Sequence, residues 1–174
     1  MKAVRLLEYG GQLVFNDVPT PAIAGDEILV KIKTTAVNHL DLVKASGTAR
    51  QILPIDLPWI PGHEFSGVVE QIGSDVAAYA PGDAVFAANE TGGAYAEYLA
   101  VKPAAIARKP SNLSFEEAAS VPVPNCMAGN LHPRSPGKGT NDPDSWWCRR
   151  CGGLCGAIGI ACRCHRHCHR KRRR

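Results

Sequence analysis

Alternating apolar and polar side chains predict three short strands near the start of the chain. Residues 2–7 and 13–17 are strand-like runs separated by Gly10-Gly11, a spacing typical of a hairpin. In residues 27–33, Ile28 and its apolar neighbours two residues apart alternate with side chains that are mostly polar and charged. We therefore expect this third strand to bury one face and expose the other.

The segment 61–83 is the most distinctive run of the chain, and it reads PGHEFSGVVEQIGSDVAAYAPGD. Its apolar residues predict a buried strand, and Gly62, Gly67 and Gly73 interrupt that strand. Glycine is favoured where the backbone bends or where another chain segment passes close by. We therefore expect a bent and tightly packed strand, which ends at a turn containing Pro81-Gly82.

The remaining pattern predicts two short helices among further strands. One helix spans 41–46 and ends at Gly47, a proline-rich loop follows over 48–61, and Ser114 with Glu117 has the spacing of a capping box. The further strands are 84–87, 93–101 and 105–108. Many short strands with two short helices predict a mainly β (α+β) fold, a partly closed barrel rather than a doubly wound parallel sheet.

Charge and cysteine divide the chain into two unlike parts. Residues 1–123 contain nine Lys and Arg against 14 Asp and Glu, a net charge of −5, and no cysteine. Residues 124–174 contain 11 Lys and Arg against two Asp, a net charge of +9, and all seven cysteines. We predict a folded domain over 1–123 and a separate basic, cysteine-rich tail over 124–174.

The first part has the features of a cytoplasmic protein. Its first ten residues are a mixed strand-like segment rather than the apolar run of a secretory signal. No run of the chain approaches the roughly 20 apolar residues that would span a bilayer. Without cysteine, residues 1–123 cannot form disulfides. We therefore expect a cytoplasmic location and no membrane partner.

Several separated motifs carry a resemblance to a known family. They are GHEFSGVVEQIGSDV at 62–76, PGDAVFA at 81–87, GAYAEY at 93–98, the start MKAV, and PTP at 19–21. In this order they resemble the N-terminal, GroES-like catalytic domain of the medium-chain dehydrogenase/reductase superfamily, over residues 1–123. The resemblance implies a partial barrel joined to a Rossmann domain, an active site between the two, and a homo-oligomer.

The resemblance also implies a set of site residues. In the zinc-dependent alcohol dehydrogenases of this superfamily, a cysteine at position 38 and a histidine at position 63 bind the catalytic metal. Here Asn38 replaces the cysteine, and residues 87–95 lack the cysteine-rich lobe of the structural zinc. The chain is similar to the zinc-independent quinone oxidoreductases, with an Asn-x-x-Asp pattern at Asn38 and Asp41. The resemblance implies catalytic roles for Asn38, Asp41 and His63, cofactor binding by Asn38, and no bound metal.

The reaction implied by the resemblance is hydride transfer from NADPH to a quinone or an α,β-unsaturated carbonyl. The residues alone also allow plainer readings, in which Asp41 caps a helix and Asn38 forms a turn. His63 and Glu64 can likewise be a hydrogen-bonded pair near the domain junction. The hydroxyl groups of Tyr95 and Tyr98 are possible donors to the substrate, although alternating tyrosines in a strand usually serve packing.

The tail allows two direct interpretations. Cys148-x-x-Cys151 and the Cys-, His- and Arg-rich end at 162–174 are typical of a metal- or nucleic-acid-binding segment, the alternative function for this chain. However, the ligands crowd together and almost no large apolar residue lies between them. The other interpretation is a disordered basic tail that binds metal or polyanions only nonspecifically.

A third interpretation of the tail comes from the genetic code. Trp146-Trp147-Cys148 must be encoded TGG TGG TGY, and moving the reading by one base gives Gly-Gly, as in the glycine-rich dinucleotide fingerprint of the family. The same shift can convert 126–129 to Ala-Trp-Gln and 141–144 to Thr-Ile-Leu-Ile. We therefore predict a change of reading frame near Val123 or Pro124. The chain would then lack its Rossmann domain, bind no NADPH in the family manner, and be inactive alone.

Overall fold

Two antiparallel sheets make up most of the regular structure in a computed structural model of the chain, which describes residues 1–124. The first sheet is a hairpin of β1 (Lys2–Leu6) and β2 (Leu13–Asp17), in register from Lys2 opposite Asp17 to Leu6 opposite Leu13. The predicted hairpin around Gly10-Gly11 is therefore confirmed.

The second sheet has five strands in the order β6-β3-β4-β5-β7, and every neighbouring pair is antiparallel. The strands are β3 (Ile28–Thr35), β4 (Glu64–Ile72), β5 (Ala84–Ala88), β6 (Tyr98–Val101) and β7 (Ala107–Arg108). Helix α1 spans His39–Ser46, helix α2 spans Phe115–Ala119, and a 3₁₀ turn spans Pro103–Ala105. The prediction of a sheet-dominated fold with two short helices is confirmed.

The core lies around β4. Neighbouring backbone passes close to this strand at Gly67 and just after it at Gly73, which leaves no room for a side chain. A Cβ atom on Gly67 would lie 2.4 Å from the carbonyl oxygen of Lys31, and one on Gly73 would lie 2.2 Å from that of Gly25. Buried side chains such as Phe65 and Val69 pack into this core. The predicted tight packing at these glycines is therefore confirmed, although Gly62 and Gly73 lie just outside the strand rather than in it.

Strand β3 differs from the expected two-faced pattern. Ile28, Leu29 and Val30 are consecutive and all buried, so both faces of the strand are covered at its start. Helix α2 contacts β3 and β4. The capping box predicted at its start is present, because the Ser114 hydroxyl accepts from the Glu117 N–H at 3.1 Å and the Glu117 carboxylate accepts from the Ser114 N–H at 2.7 Å.

Two predicted strands are shorter than expected. The run 93–101 forms a strand only from Tyr98, because Gly93 has a φ of +106° and its N–H donates to the carbonyl of Ile60 at 2.7 Å, outside the sheet. The run 105–108 forms a strand only at Ala107–Arg108, after the 3₁₀ turn. Helix α1 begins at His39 rather than at Asp41 and ends, as predicted, at Gly47 in the left-handed conformation.

The described residues Met1–Val123 form one compact unit. Of the predicted tail over 124–174, residues 125–174 lie outside the described residues. The predicted loss of the Rossmann domain, the changed reading frame and the metal- or nucleic-acid-binding segment therefore lie outside them as well. Across residues 1–124, none of the helices has the length and apolar character needed to cross a membrane.

Candidate active site

The candidate site forms where β3 gives way to α1. Asn38 stands at the N-cap of α1 with extended backbone, and its carbonyl accepts from the Asp41 N–H at 3.0 Å. The Thr35 hydroxyl at the end of β3 donates to the carbonyl of Glu64 at 2.7 Å and so ties β3 to the start of β4. The fold thereby brings together four side chains from two segments about 25 residues apart, namely Asn38, Asp41, His63 and Glu64.

The Asp41 carboxylate is the centre of the site and has four hydrogen-bond donors. Its Oδ1 atom contacts the Gly62 N–H at 2.9 Å and His63 Nδ1 at 2.6 Å. Its Oδ2 atom accepts from the Asn38 N–H at 2.8 Å and from the Tyr95 hydroxyl at 3.2 Å. Asp41 is only 3% exposed, and burial raises its pKa, but the hydrogen bonds from His63, Asn38 and Gly62 outweigh burial and lower the pKa overall.

This environment fixes the hydrogen positions on the partners of Asp41. Because an ionised carboxylate can only accept, His63 must carry a hydrogen on Nδ1 and the Tyr95 hydroxyl must donate. Burial, together with the negative charge of Asp41, raises the pKa of Tyr95. The Tyr95 proton is thus committed to Asp41, which disfavours the predicted role of this hydroxyl as a donor to substrate.

His63 is 1% exposed and uses only one ring nitrogen. Within residues 1–124, its Nε2 atom is buried without a hydrogen-bond partner. The Trp59 ring lies beside it, with ring centroids 5.8 Å apart and planes inclined by 53°. A buried polar atom without a hydrogen-bond partner is uncommon in folded proteins.

Glu64 is a second buried carboxylate, 1% exposed. Its Oε1 atom accepts from Asn38 Nδ2 and its Oε2 atom accepts from the Val123 N–H, both at 2.8 Å. Burial raises its pKa, and these two hydrogen bonds offset the increase only in part. The predicted His63–Glu64 pair is corrected here, since His63 bonds to Asp41 while Glu64 bonds to Asn38 and Val123.

Sequence reasoning missed three contacts of the site. It did not connect Tyr95 with Asp41, nor Glu64 with Val123, because these partners are 54 and 59 residues apart. It also missed Lys44, which is buried one turn after Asp41, has its pKa lowered by burial, and donates from Nζ to the Glu90 carbonyl at 2.8 Å. The sequence could have indicated that Lys44 lies near Asp41, because residues three positions apart on a helix are neighbours.

An open groove of about 570 Å³ is lined in part by Thr35 and Tyr95, whose hydroxyl groups donate to the Glu64 carbonyl and to the Asp41 carboxylate. Its walls are mostly apolar and include Ile32, Val37 and Ala94. Val37 stands directly before Asn38 and is 74% exposed. The groove therefore offers apolar surface next to the polar site.

The donor set does not favour a metal ion. Among residues 1–124, no three His, Cys, Asp and Glu side chains are arranged to hold one. The Asn38 amide nitrogen donates to Glu64, so it has no lone pair for a metal, and Asp41 is saturated by four donors. Among the described residues, His63 Nε2 is the buried side-chain atom without a hydrogen-bond partner, whereas protein zinc sites use three or four ligands.

Comparison with known proteins identifies the fold. Residues 24–111 match the alcohol dehydrogenase GroES-like domain family. The chain belongs to this family, and within it to the quinone oxidoreductase-like members of the medium-chain dehydrogenase/reductase superfamily. Human quinone oxidoreductase is 33% identical over 128 residues, which cover 71% of this chain and 38% of that protein. A chloroplastic quinone-oxidoreductase homolog from Spinacia oleracea is 37% identical over 128 residues, covering 71% and 39%.

Solved structures agree with this assignment. Quinone oxidoreductase from Coxiella burnetii aligns with a TM-score of 0.69 and 31% identity, over 75% of this chain and 44% of that one. Escherichia coli quinone oxidoreductase complexed with NADPH aligns with a TM-score of 0.68 and 28% identity, over 75% and 40%. The chain spans about two fifths of the length of these curated relatives. The mainly β fold is thus the GroES-like fold, while the roles of Asn38, Asp41 and His63 stay predictions.

Proposed function

We propose that residues 1–124 form the substrate-side half of an oxidoreductase that passes a hydride from NADPH to a quinone or an α,β-unsaturated carbonyl. The proposal is supported by the family, by the quinone oxidoreductases among its relatives, and by the NADPH complex of one of them. The observation that carries it is the hydrogen-bonded cluster of Asn38, Asp41, His63 and Glu64, which is bonded to Thr35 and Tyr95 in the lining of an apolar groove. Its apolar walls suit a flat, uncharged ring.

We propose that the reaction is zinc-independent. Asn38, at the position where the zinc enzymes have a cysteine, points an N–H rather than a lone pair toward its neighbour Glu64. Asp41 holds the Nδ1 side of His63. Under this proposal Asn38, Asp41 and His63 position the acceptor and keep the site dry, and Asn38 also contacts the nicotinamide end of the cofactor.

The described residues do not fit the phosphates of NADPH. A pyrophosphate is usually bound by free backbone N–H groups at the start of a helix. In α1 the Asp41 carboxylate already occupies that end, and α2 is only five residues long with Glu116 and Glu117 in its first turn. NADPH supplies the hydride when bound, and its phosphates would have to be held outside residues 1–124.

The changed reading frame proposed for the tail means that this chain lacks the cofactor-binding half of the enzyme. Residues 125–174 contain tryptophan and arginine where the shifted frame gives a glycine-rich fingerprint. We therefore propose that the chain as written is inactive alone, although its family is enzymatic. A cytoplasmic location, homo-oligomerisation of a full-length form, and only nonspecific binding of nucleic acid by the basic tail belong to the same proposal.

Resequencing the gene across the codons for 120–153 and assaying both products tests the proposal. We expect the chain as written not to oxidise NADPH with a quinone or an enone, and a frame-restored protein to do so. Asn38→Ala in the frame-restored protein should reduce kcat/KM by about tenfold or more, the effect of losing a positioned hydrogen bond. A frame-restored protein inactive with both acceptor classes would overturn the proposed reaction. NADPH oxidation by the chain as written would overturn the proposed loss of the cofactor site.

A further inference from the structure

The side-chain amide of Asn38 has a defined orientation. An asparagine amide can present either its NH₂ group or its oxygen in a given direction, and the neighbours decide which one. Here Nδ2 lies 2.8 Å from Oε1 of Glu64. The Asp41 N–H bonds to the Asn38 backbone carbonyl and the Asn38 side chain makes no cap hydrogen bond, so Glu64 alone orients the amide among the described residues. The NH₂ group is thus directed toward Glu64.

Glu64 enforces this orientation because both of its oxygens meet donors. The Val123 N–H donates to Oε2 at 2.8 Å, and a backbone N–H cannot reverse its role. In its ionised form the carboxylate therefore requires a donor at Oε1 as well, which the Asn38 oxygen could not provide. Glu64 is almost fully buried, so water is a poor substitute for either donor.

One N–H of Asn38 is left over by this arrangement. An amide NH₂ group has two donors, and Glu64 takes one of them. Across residues 1–124, the second has no acceptor among the hydrogen bonds of the site, and Asn38 is only half-buried. Asn38 directly follows Val37, which lines the apolar groove. A ligand that extends from this groove past Val37 would meet this N–H.

We propose that Glu64 is a positioning residue that holds the Asn38 amide with an N–H toward the ligand, so that the site selects ligands whose reacting group is an acceptor oxygen, such as a ketone or quinone carbonyl. This inference rests on the proposed function, because it assumes that the ligand lies beside Asn38. The same N–H would polarise the carbonyl oxygen as negative charge builds up on it. Tyr95 cannot take this role, since its hydroxyl donates to Asp41.

Nuclear magnetic resonance of the full 174-residue chain, labelled with ¹⁵N, tests the proposal directly. The two geminal protons of Asn38 Nδ2 would be assigned by their loss in Asn38→Asp. The probes are cyclohexanone and methylenecyclohexane, which have nearly the same shape but differ in the acceptor oxygen and do not react with thiols. We expect cyclohexanone to shift one of the two protons strongly, methylenecyclohexane to shift neither, and the exposed amide of Asn112 to respond to neither probe.

The Glu64→Gln variant tests the positioning role. Glutamine has one acceptor oxygen for two donors, so either the Val123 N–H or the Asn38 NH₂ group loses its partner. We expect the affinity for cyclohexanone to fall about two- to tenfold, the range of one hydrogen bond, and the selective proton shift to disappear. Glu64→Asp keeps the charge as a second variant, and the exposed Glu116→Gln is the matched control that should change nothing.

The outcomes separate this inference from the function on which it rests. If cyclohexanone shifts resonances around the groove but leaves both Asn38 protons unmoved, or if methylenecyclohexane shifts them equally, the inference is wrong while ligand binding stands. The inference is also wrong if Glu64→Gln keeps both the affinity and the selective shift. If neither probe moves any resonance up to millimolar concentration, the ligand site itself is refuted, and the inference with it.

Discussion

Replacing Asp41 by asparagine should destabilise the folded domain, because the site leaves no orientation in which the new amide fits. Each carboxylate oxygen of Asp41 accepts from one backbone N–H: Oδ1 from Gly62 and Oδ2 from Asn38. In Asp41→Asn one of these oxygens becomes an NH₂ group. Tyr95 and His63 can adapt, by rotation of a hydroxyl or by a change of tautomer, but a backbone N–H cannot become an acceptor. One of the two must therefore lose its partner.

The size of the effect follows from these contacts. An orphaned buried donor costs about 1–3 kcal/mol, and a hydrogen bond to a charged acceptor contributes about 1.5–3 kcal/mol. These contributions overlap, so we expect Asp41→Asn to lower the free energy of unfolding by about 2–4 kcal/mol at pH 7. Urea unfolding followed by far-ultraviolet circular dichroism measures it. The exposed Asp56→Asn, which removes the same charge from a loop, should change it by less than about 0.5 kcal/mol.

The pH dependence of this difference gives a second check. The pKa of Asp41 is lower in the folded state than in the unfolded chain, so its charge stabilises the fold above the unfolded value of about 3.9. That stabilisation is lost as the pH falls through the lower, folded value. The difference between the original chain and Asp41→Asn should thus be constant near neutral pH and shrink below about pH 4. A difference that persists unchanged at pH 3.5, or an Asp41→Asn protein as stable as Asp56→Asn, would refute the reasoning.

Other substitutions test neighbouring contacts. Tyr95→Phe removes one donor from Asp41 and should lower the free energy of unfolding in urea by about 1 kcal/mol. The kcat of a frame-restored enzyme should fall by less than about tenfold. A loss of about a hundredfold or more would instead identify Tyr95 as the proton donor. Gly67→Ala places a Cβ 2.4 Å from the carbonyl of Lys31 and should cost more than about 3 kcal/mol or prevent soluble expression. Gly82→Ala, with a φ of +94° but open space around it, should cost only about 1 kcal/mol, and equal losses at both glycines would contradict the close packing of β4.

Local patterns allowed much of the fold to be predicted. The hairpin at Gly10-Gly11 and the capping box at Ser114 each depend on residues within a few positions, so the sequence contains their whole cause. The strand predicted over 93–101 was too long for the opposite reason. Its first half bonds to the loop at 60–62, a distant segment whose position no alternation of side chains reveals.

The candidate site shows the same division. Asn38, Asp41 and His63 were predicted through a resemblance between motifs, and the fold does bring them together. The pattern could not reveal their chemistry, because it depends on contacts between distant residues. Tyr95 reaches Asp41 across 54 residues, and Glu64 meets the N–H of Val123 across 59. Which atom of each side chain donates follows only from that geometry.

The two buried carboxylates of the site behave in opposite ways, and the number of their donors explains the difference. Asp41 has four donors and its pKa is lowered despite burial, whereas Glu64 has two and burial keeps its pKa raised. As the pH falls, Glu64 therefore takes up a proton before Asp41 does. A protonated Glu64 can donate to the oxygen of Asn38, which frees the amide to turn, while Asp41 still holds His63. Lowering the pH should thus reverse the orientation of Asn38 before it affects the Asp41–His63 contact.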